Sequence, residues 1–205
     1  VSYGYKSQPK SGGGQHFPGT TSLNGNSLSQ LIRDIVRELA RQGVNQIVLV
    51  NGHYENQWFL TEGIELAIRD VGTASPLRVL RLEYWDFLTS EILDKVFPDG
   101  FPGFVLEHAA VIETSLMAHY HPKLVWLDLI PDVAAAEFPP YDRFPQDPSW
   151  VHASGVLSSA KSASAQKGEL MAHHIANGIA AAICQEFRAQ HSAGMNHEAA
   201  IDPTA

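Results

Sequence analysis

The hexapeptide Asn51-Gly52-His53-Tyr54-Glu55-Asn56 sets an imidazole and a carboxylate two residues apart. Both groups are good ligands for zinc or manganese. A loop breaks regular side-chain spacing, so it can aim His53 and Glu55 at two neighbouring points. The plain alternative makes Glu55 a first-turn acid favoured by a helix dipole and His53 a surface turn residue. A second constellation is Glu107-His108, continued by Glu113-Thr114-Ser115. A histidine beside a carboxylate can be tuned as a general acid or base near neutral pH. If 108–120 is helical, His108 and Glu113 stand roughly one and a half turns apart and need not touch. The alternative is a helix start with Glu107 and His108 both in water. Tyr54, Trp85 and Phe104 are able to line a pocket for a flat ligand, although residue type alone reads each as core. The chain holds 10 histidines, so a given one is more often structural; His119, His121, His173, His174, His191 and His197 are read that way. No Gly-x-Ser-x-Gly elbow occurs, which argues against serine-hydrolase chemistry. Gly12 to Gly14 lack the Gly-Lys-Ser/Thr ending of a phosphate loop.

Several elements must position these groups. Residues 1–27 are rich in Gly and Ser and read as a long loop, either a ligand-approaching segment or a linker. Leu28, Leu31, Ile32, Ile35, Val36 and Leu39 recur at helical spacing, with Ser27 as N-cap and Gly43 as the stop. Gln46 to Val50 is a short, β-branched apolar run, the pattern of a strand buried on both faces. It ends at the hexapeptide, and a second helical pattern runs from about Glu55 to Asp70. Leu77 to Leu82 is the next strand, 108–120 a helix, 131–153 an irregular loop and 162–190 a last amphipathic helix. This alternation implies an α/β sheet, mostly parallel. In such sheets ligands bind beyond the carboxyl ends of the strands, where the hexapeptide stands.

The 205 residues suit one domain with one sizeable core, and 44% hydrophobic content marks a globular chain. A net charge of −8, from 22 acidic and 14 basic residues, argues against a nucleic-acid partner. No apolar run is long enough to span a bilayer, so no membrane partner is expected. The single cysteine, Cys184, excludes an internal disulfide and fits a cytoplasmic location.

Further stretches stand out: Tyr3-Gly4-Tyr5-Lys6-Ser7-Gln8 running into Lys10-Ser11-Gly12-Gly13-Gly14, then His16-Phe17-Pro18-Gly19-Thr20-Thr21-Ser22-Leu23. Tyr84-Trp85-Asp86-Phe87, Phe138-Pro139-Pro140-Tyr141-Asp142, Leu157-Ser158-Ser159-Ala160-Lys161 and Lys167-Gly168-Glu169 follow. Together with the hexapeptide and the Glu-His…Glu-Thr-Ser pattern, they resemble the creatininase (creatinine amidohydrolase) family from the first residues to about residue 190. The resemblance implies a three-layer α/β/α fold over 1–190 and assembly as a homo-hexamer; residues 191–205 lack periodicity and are expected to be a disordered tail. It also implies hydrolysis of the cyclic amide of creatinine to creatine with two divalent ions, zinc and manganese. His53 and Glu55 would be metal ligands and His108 the proton-transfer group. Glu107 would orient His108 or the substrate, and Ser11, Tyr54 and Trp85 would border the pocket, Trp85 on a mobile loop. The family carries a Trp-Asp pair where this sequence has Phe104-Val105, which opens the alternative of another small cyclic amide. The family also places a Glu-x-His pair and a bridging Asp upstream of this opening loop. The chain is therefore expected to be N-terminally truncated, with a catalytically silent fragment as a further alternative.

Overall fold

The computed structural model describes residues 3–12, 14–72 and 74–195. Helix α1 spans Gly25–Arg41 and buries Leu28, Ser29, Ile32 and Val36 along one stripe. Its N-cap is Asn24, which makes no side-chain cap bond, so Ser27 lies inside the first turn and is not the cap. Helix α2, Gln57–Val71, buries Leu60, Gly63, Ile64 and Ala67. The two helices approach closely at Gly63, where a Cβ would stand 2.6 Å from the Ser29 carbonyl oxygen. The Ser29 hydroxyl donates to the Phe59 carbonyl at 3.0 Å across the same contact.

Strands β1, Gln46–Asn51, and β2, Arg78–Glu83, pair in parallel with Gln46 opposite Arg78 and Asn51 opposite Glu83. A parallel pair needs a crossover, and α2 is that crossover. The α/β class is thus as expected. β1 was expected to be buried on both faces; instead Ile47 is buried while Val50 is 56% exposed. Successive strand residues face opposite sides. Ile47 and Leu49 face the cluster built with α1 and α2, and Val50 points away from it.

A second apolar cluster joins α3, Ser90–Val96, α4, Val111–Tyr120, and α5, Ala165–Met195. Leu88, Ile92, Val96, Val111, Ile112, Met171 and Ile175 form its centre. Helix α3 has only 7 residues, too few to show a period in the sequence. Helix α4 begins at Val111 and not at 108, so His108 precedes it. Helix α5 continues to Met195, so the expected loose tail from 191 is helical that far; 196–205 lie outside the described residues. The 131–153 segment is irregular apart from the turn Pro148–Trp150. Among the described residues no helix is long and apolar enough to cross a membrane.

Candidate active site

β1 and β2 end side by side at Asn51 and Glu83; β2 runs directly into the 3-10 turn Tyr84–Phe87, and β1 reaches the 3-10 turn Tyr54–Asn56 after Gly52 and His53. The register therefore brings the hexapeptide beside Tyr84 and Trp85 at the carboxyl edge of the sheet. The two asparagines shape the loop. Asn51, 2% exposed, accepts the His53 N–H at 3.1 Å and donates to the His53 carbonyl at 2.8 Å. Asn56 donates to Asn51 and accepts the Tyr5 N–H at 2.8 Å, which ties the opening loop to the strand end. From this loop Tyr5, Gln8, Lys10 and Ser11 face the site, so it forms a wall and is not a linker.

A cavity of about 540 Å³ lies here. His53, Glu55, Glu107, His108, Ser11, Tyr54, Trp85 and Phe104, the residues singled out from sequence, all line it. Tyr54 and Phe104 are 57% and 40% exposed, so neither is core. Trp85 sits on the turn that closes β2, 5.1 Å from Tyr84 and 6.4 Å from Tyr54 between ring centroids. Glu55 is buried, and its Oε2 lies 2.7 Å from His53 Nδ1. Burial opposes a charge on Glu55, but hydrogen bonds from His53 and Ser11 outweigh it and hold the carboxyl at about 2. The same Glu55 bond raises the His53 imidazole above its usual value, against the effect of burial.

Glu107 is buried, not solvated. Its Oε2 accepts the Ile112 N–H at 2.8 Å, which caps α4, while Oε1 has no partner. Burial pushes its carboxyl up to about 7; the backbone N–H of Ile112 opposes the rise, and Glu113 adds to it. His108 stands against the opening loop, where a Cβ on Gly12 would lie 2.3 Å from His108 Nε2. Gly12 also has φ 74, so both space and backbone require glycine there. The His53 and His108 rings are 6.3 Å apart.

A model of the creatinine amidohydrolase family matches residues 1–183. Creatinine amidohydrolase of Pseudomonas putida is 52% identical over 190 residues, 91% of this chain and 73% of that protein. The chain belongs to the creatinine amidohydrolase family. Among solved structures, creatininase in a manganese form superposes with TM-score 0.87 at 52% identity, covering 91% of this chain and 74% of that one. A glutamate-to-glutamine mutant creatininase complexed with creatine has TM-score 0.87 and 52% identity, covering 90% and 74%.

In this creatinine amidohydrolase family member, Trp58, Lys10 and Asp142 also line the cavity, though the sequence did not single them out as site residues. Trp58 follows Tyr54 by one helical turn and meets it edge to face at 5.5 Å; that four-residue aromatic spacing was its only signal. Lys10 and Asp142 form an ion pair at 3.3 Å, and Lys10 also donates to the Pro139 carbonyl. Gln146 donates to the Pro9 carbonyl at 2.7 Å. These contacts span over a hundred residues, so sequence distance hid them. Among the described residues no group of three or more His, Cys, Asp or Glu is gathered closely enough to hold a metal ion. His53 and Glu55 nonetheless offer suitable donors: one imidazole nitrogen and one ionised, buried carboxylate on the cavity wall.

Proposed function

We propose that this chain hydrolyses the cyclic amide of creatinine to creatine. The observation that carries this reading is the meeting of His53, Glu55, Glu107 and His108 around one cavity in a chain 52% identical to a creatinine amidohydrolase. His53 and Glu55 would hold divalent metal, of which zinc and manganese suit an imidazole-plus-carboxylate donor set. Bound divalent ions supply Lewis-acid polarisation of the amide carbonyl and a more acidic water.

The remaining chemistry falls to side chains. His108 takes a proton from the attacking water and delivers it to the ring nitrogen as the amide C–N bond breaks. Glu107 offers its unpartnered Oε1 to the substrate, because its other oxygen is spent on the cap of α4. Burial raises this carboxyl toward neutrality, which favours a protonated Oε1 that can donate. Tyr54, Trp85 and Phe104 supply apolar walls for a flat ring and limit access of bulk water. Ser11 braces Glu55.

The test is creatine formation from creatinine by the chain supplied with zinc and manganese. Absence of turnover with metal bound would count against the reading. A second reading, another small cyclic amide, is favoured by Phe104 and Val105, which lack the indole N–H and the carboxylate of the family's Trp-Asp pair. A panel of small lactams decides between them.

We further propose assembly as a homo-hexamer. Leu124, Trp126 and Leu129 are 63%, 64% and 71% exposed, an apolar run that a second copy would cover. Sedimentation analysis tests this. A cytoplasmic location is proposed from the lone, free Cys184.

A further inference from the structure

Ala109, directly after His108, has φ 52, the one non-glycine in the left-handed region among the described residues. An L residue there crowds its Cβ against backbone, so the conformation persists only where its surroundings hold it. The surroundings do so from several sides. Glu113 accepts the Ala109 N–H through Oε2. The Thr114 hydroxyl donates to the Ala109 carbonyl at 3.3 Å. The His108 carbonyl accepts the Leu157 N–H, also at 3.3 Å.

The His108 carbonyl and the Ala109 N–H belong to one planar peptide group. Glu113 grips one edge of that plane and Leu157 the other. The plane cannot rotate without breaking a bond, and the backbone that carries the imidazole is held with it. Ser115, next in the Glu-Thr-Ser run, accepts the Ser164 N–H and anchors α4 to the start of α5. The run thus reads as two holds on the turn behind His108 and one on the helix that carries them.

We propose that Glu113 is a positioning residue for His108: its carboxylate fixes the His108–Ala109 peptide plane and so the aim of the imidazole into the cavity. The proposal rests on the creatinine reading for what His108 does there. A competing account makes Glu113 only a favourable acid in the first turn of α4. The two differ at Ala109. Glycine at that position adopts φ > 0 freely, so Ala109→Gly relieves the turn without restoring any charge to the helix.

The experiment has two arms. In the first, amide hydrogen exchange is followed at Ala109 in the wild-type chain and in Glu113→Ala. We expect exchange at this amide to quicken by about tenfold or more, beyond the change at other α4 amides. Equal exchange overturns the proposal. In the second, creatinine turnover is measured with zinc and manganese supplied. Glu113→Ala should lower kcat by roughly 30- to 100-fold, as for a catalytic group displaced by about 1 Å, with KM changed by less than about threefold. Glu113→Gln keeps an oxygen that accepts the N–H and should fall less. The double variant Glu113→Ala with Ala109→Gly should regain part of the lost kcat. Loss of kcat in Glu113→Gln equal to that in Glu113→Ala, with no rescue by glycine, assigns Glu113 to helix electrostatics and overturns the proposal. If the wild-type chain makes no creatine, the functional reading fails by itself, and the exchange arm still decides the clamp.

Discussion

The rings of His53 and His108 meet almost at right angles, 87° between planes and 6.3 Å between centroids. His53 comes from the loop that ends β1, and His108 from the bend ahead of α4. One ring is already engaged by a buried carboxylate, while the other rests against the backbone of Gly12. On the proposed reading the pair divides the labour, with a metal ligand on one side and a proton carrier on the other. A small planar ring bound between the aromatic walls would be within reach of both.

Replacing His108 with alanine removes the proton carrier and leaves the His53–Glu55 pair intact. Turnover of creatinine by the metal-supplied chain should fall by about 10²- to 10⁴-fold, the usual worth of a general acid–base group. Steady-state creatine formation measures it. A loss of only a few-fold would remove His108 from this role.

Glu55→Gln removes the anionic donor. The Glu55 carboxyl is held at about 2, so it is ionised throughout the range in which zinc is normally titrated. Calorimetric titration should show zinc affinity weakened by at least about tenfold, because a carboxylate donor is lost. Unchanged affinity would place the metal elsewhere.

Glu107 gives a pH-dependent stability. Burial raises its carboxyl from an ordinary value of 4.5 to about 7 in the folded chain. The folded state therefore holds this proton more tightly than the unfolded state. Stability from this group is fully present below 4.5 and is lost as pH rises to about 7. Glu107→Gln keeps the acceptor for the Ile112 N–H but cannot ionise. In the metal-free chain it should melt near the wild type at pH about 4 and be more stable by on the order of 2–3 kcal/mol at pH about 8. Thermal melts at the two pH values check this; a wild-type advantage at the higher pH would contradict it.

Phe104→Trp combined with Val105→Asp restores an indole N–H and a carboxylate to the rim. Val105 is 75% exposed, so a charge there meets water and carries little desolvation cost. The ratio of kcat/KM for creatinine over a ring analogue lacking its exocyclic amine should rise by about tenfold or more. A constant ratio would show that the rim does not discriminate.

Much of the site was legible in the chain itself. Tyr54, Trp85 and Phe104 read as core by residue type and gained a pocket role only through the family resemblance, whereas the hexapeptide at the end of a β-branched run and Glu107-His108 were found from residue type and spacing. So were both described strands and the helices α1, α2, α4 and α5 to within a few residues, because apolar periodicity is a local property. What local pattern did not decide was geometry. Residue type left Glu107 open between an acid–base partner of His108 and a solvated helix-start acid; it is 9% exposed with one oxygen unpaired, since burial depends on which elements pack around it. The Glu-Thr-Ser run shows three polar residues in a row; only folding turns two of them back onto Ala109. The clasp of Lys10 on Asp142 joins segments far apart in sequence. Hydrophobic spacing specifies which face of a helix or strand is apolar, but a partner for a buried polar atom is chosen by the packing of distant segments. For this chain, that packing turned a set of reactive residue types into one cavity.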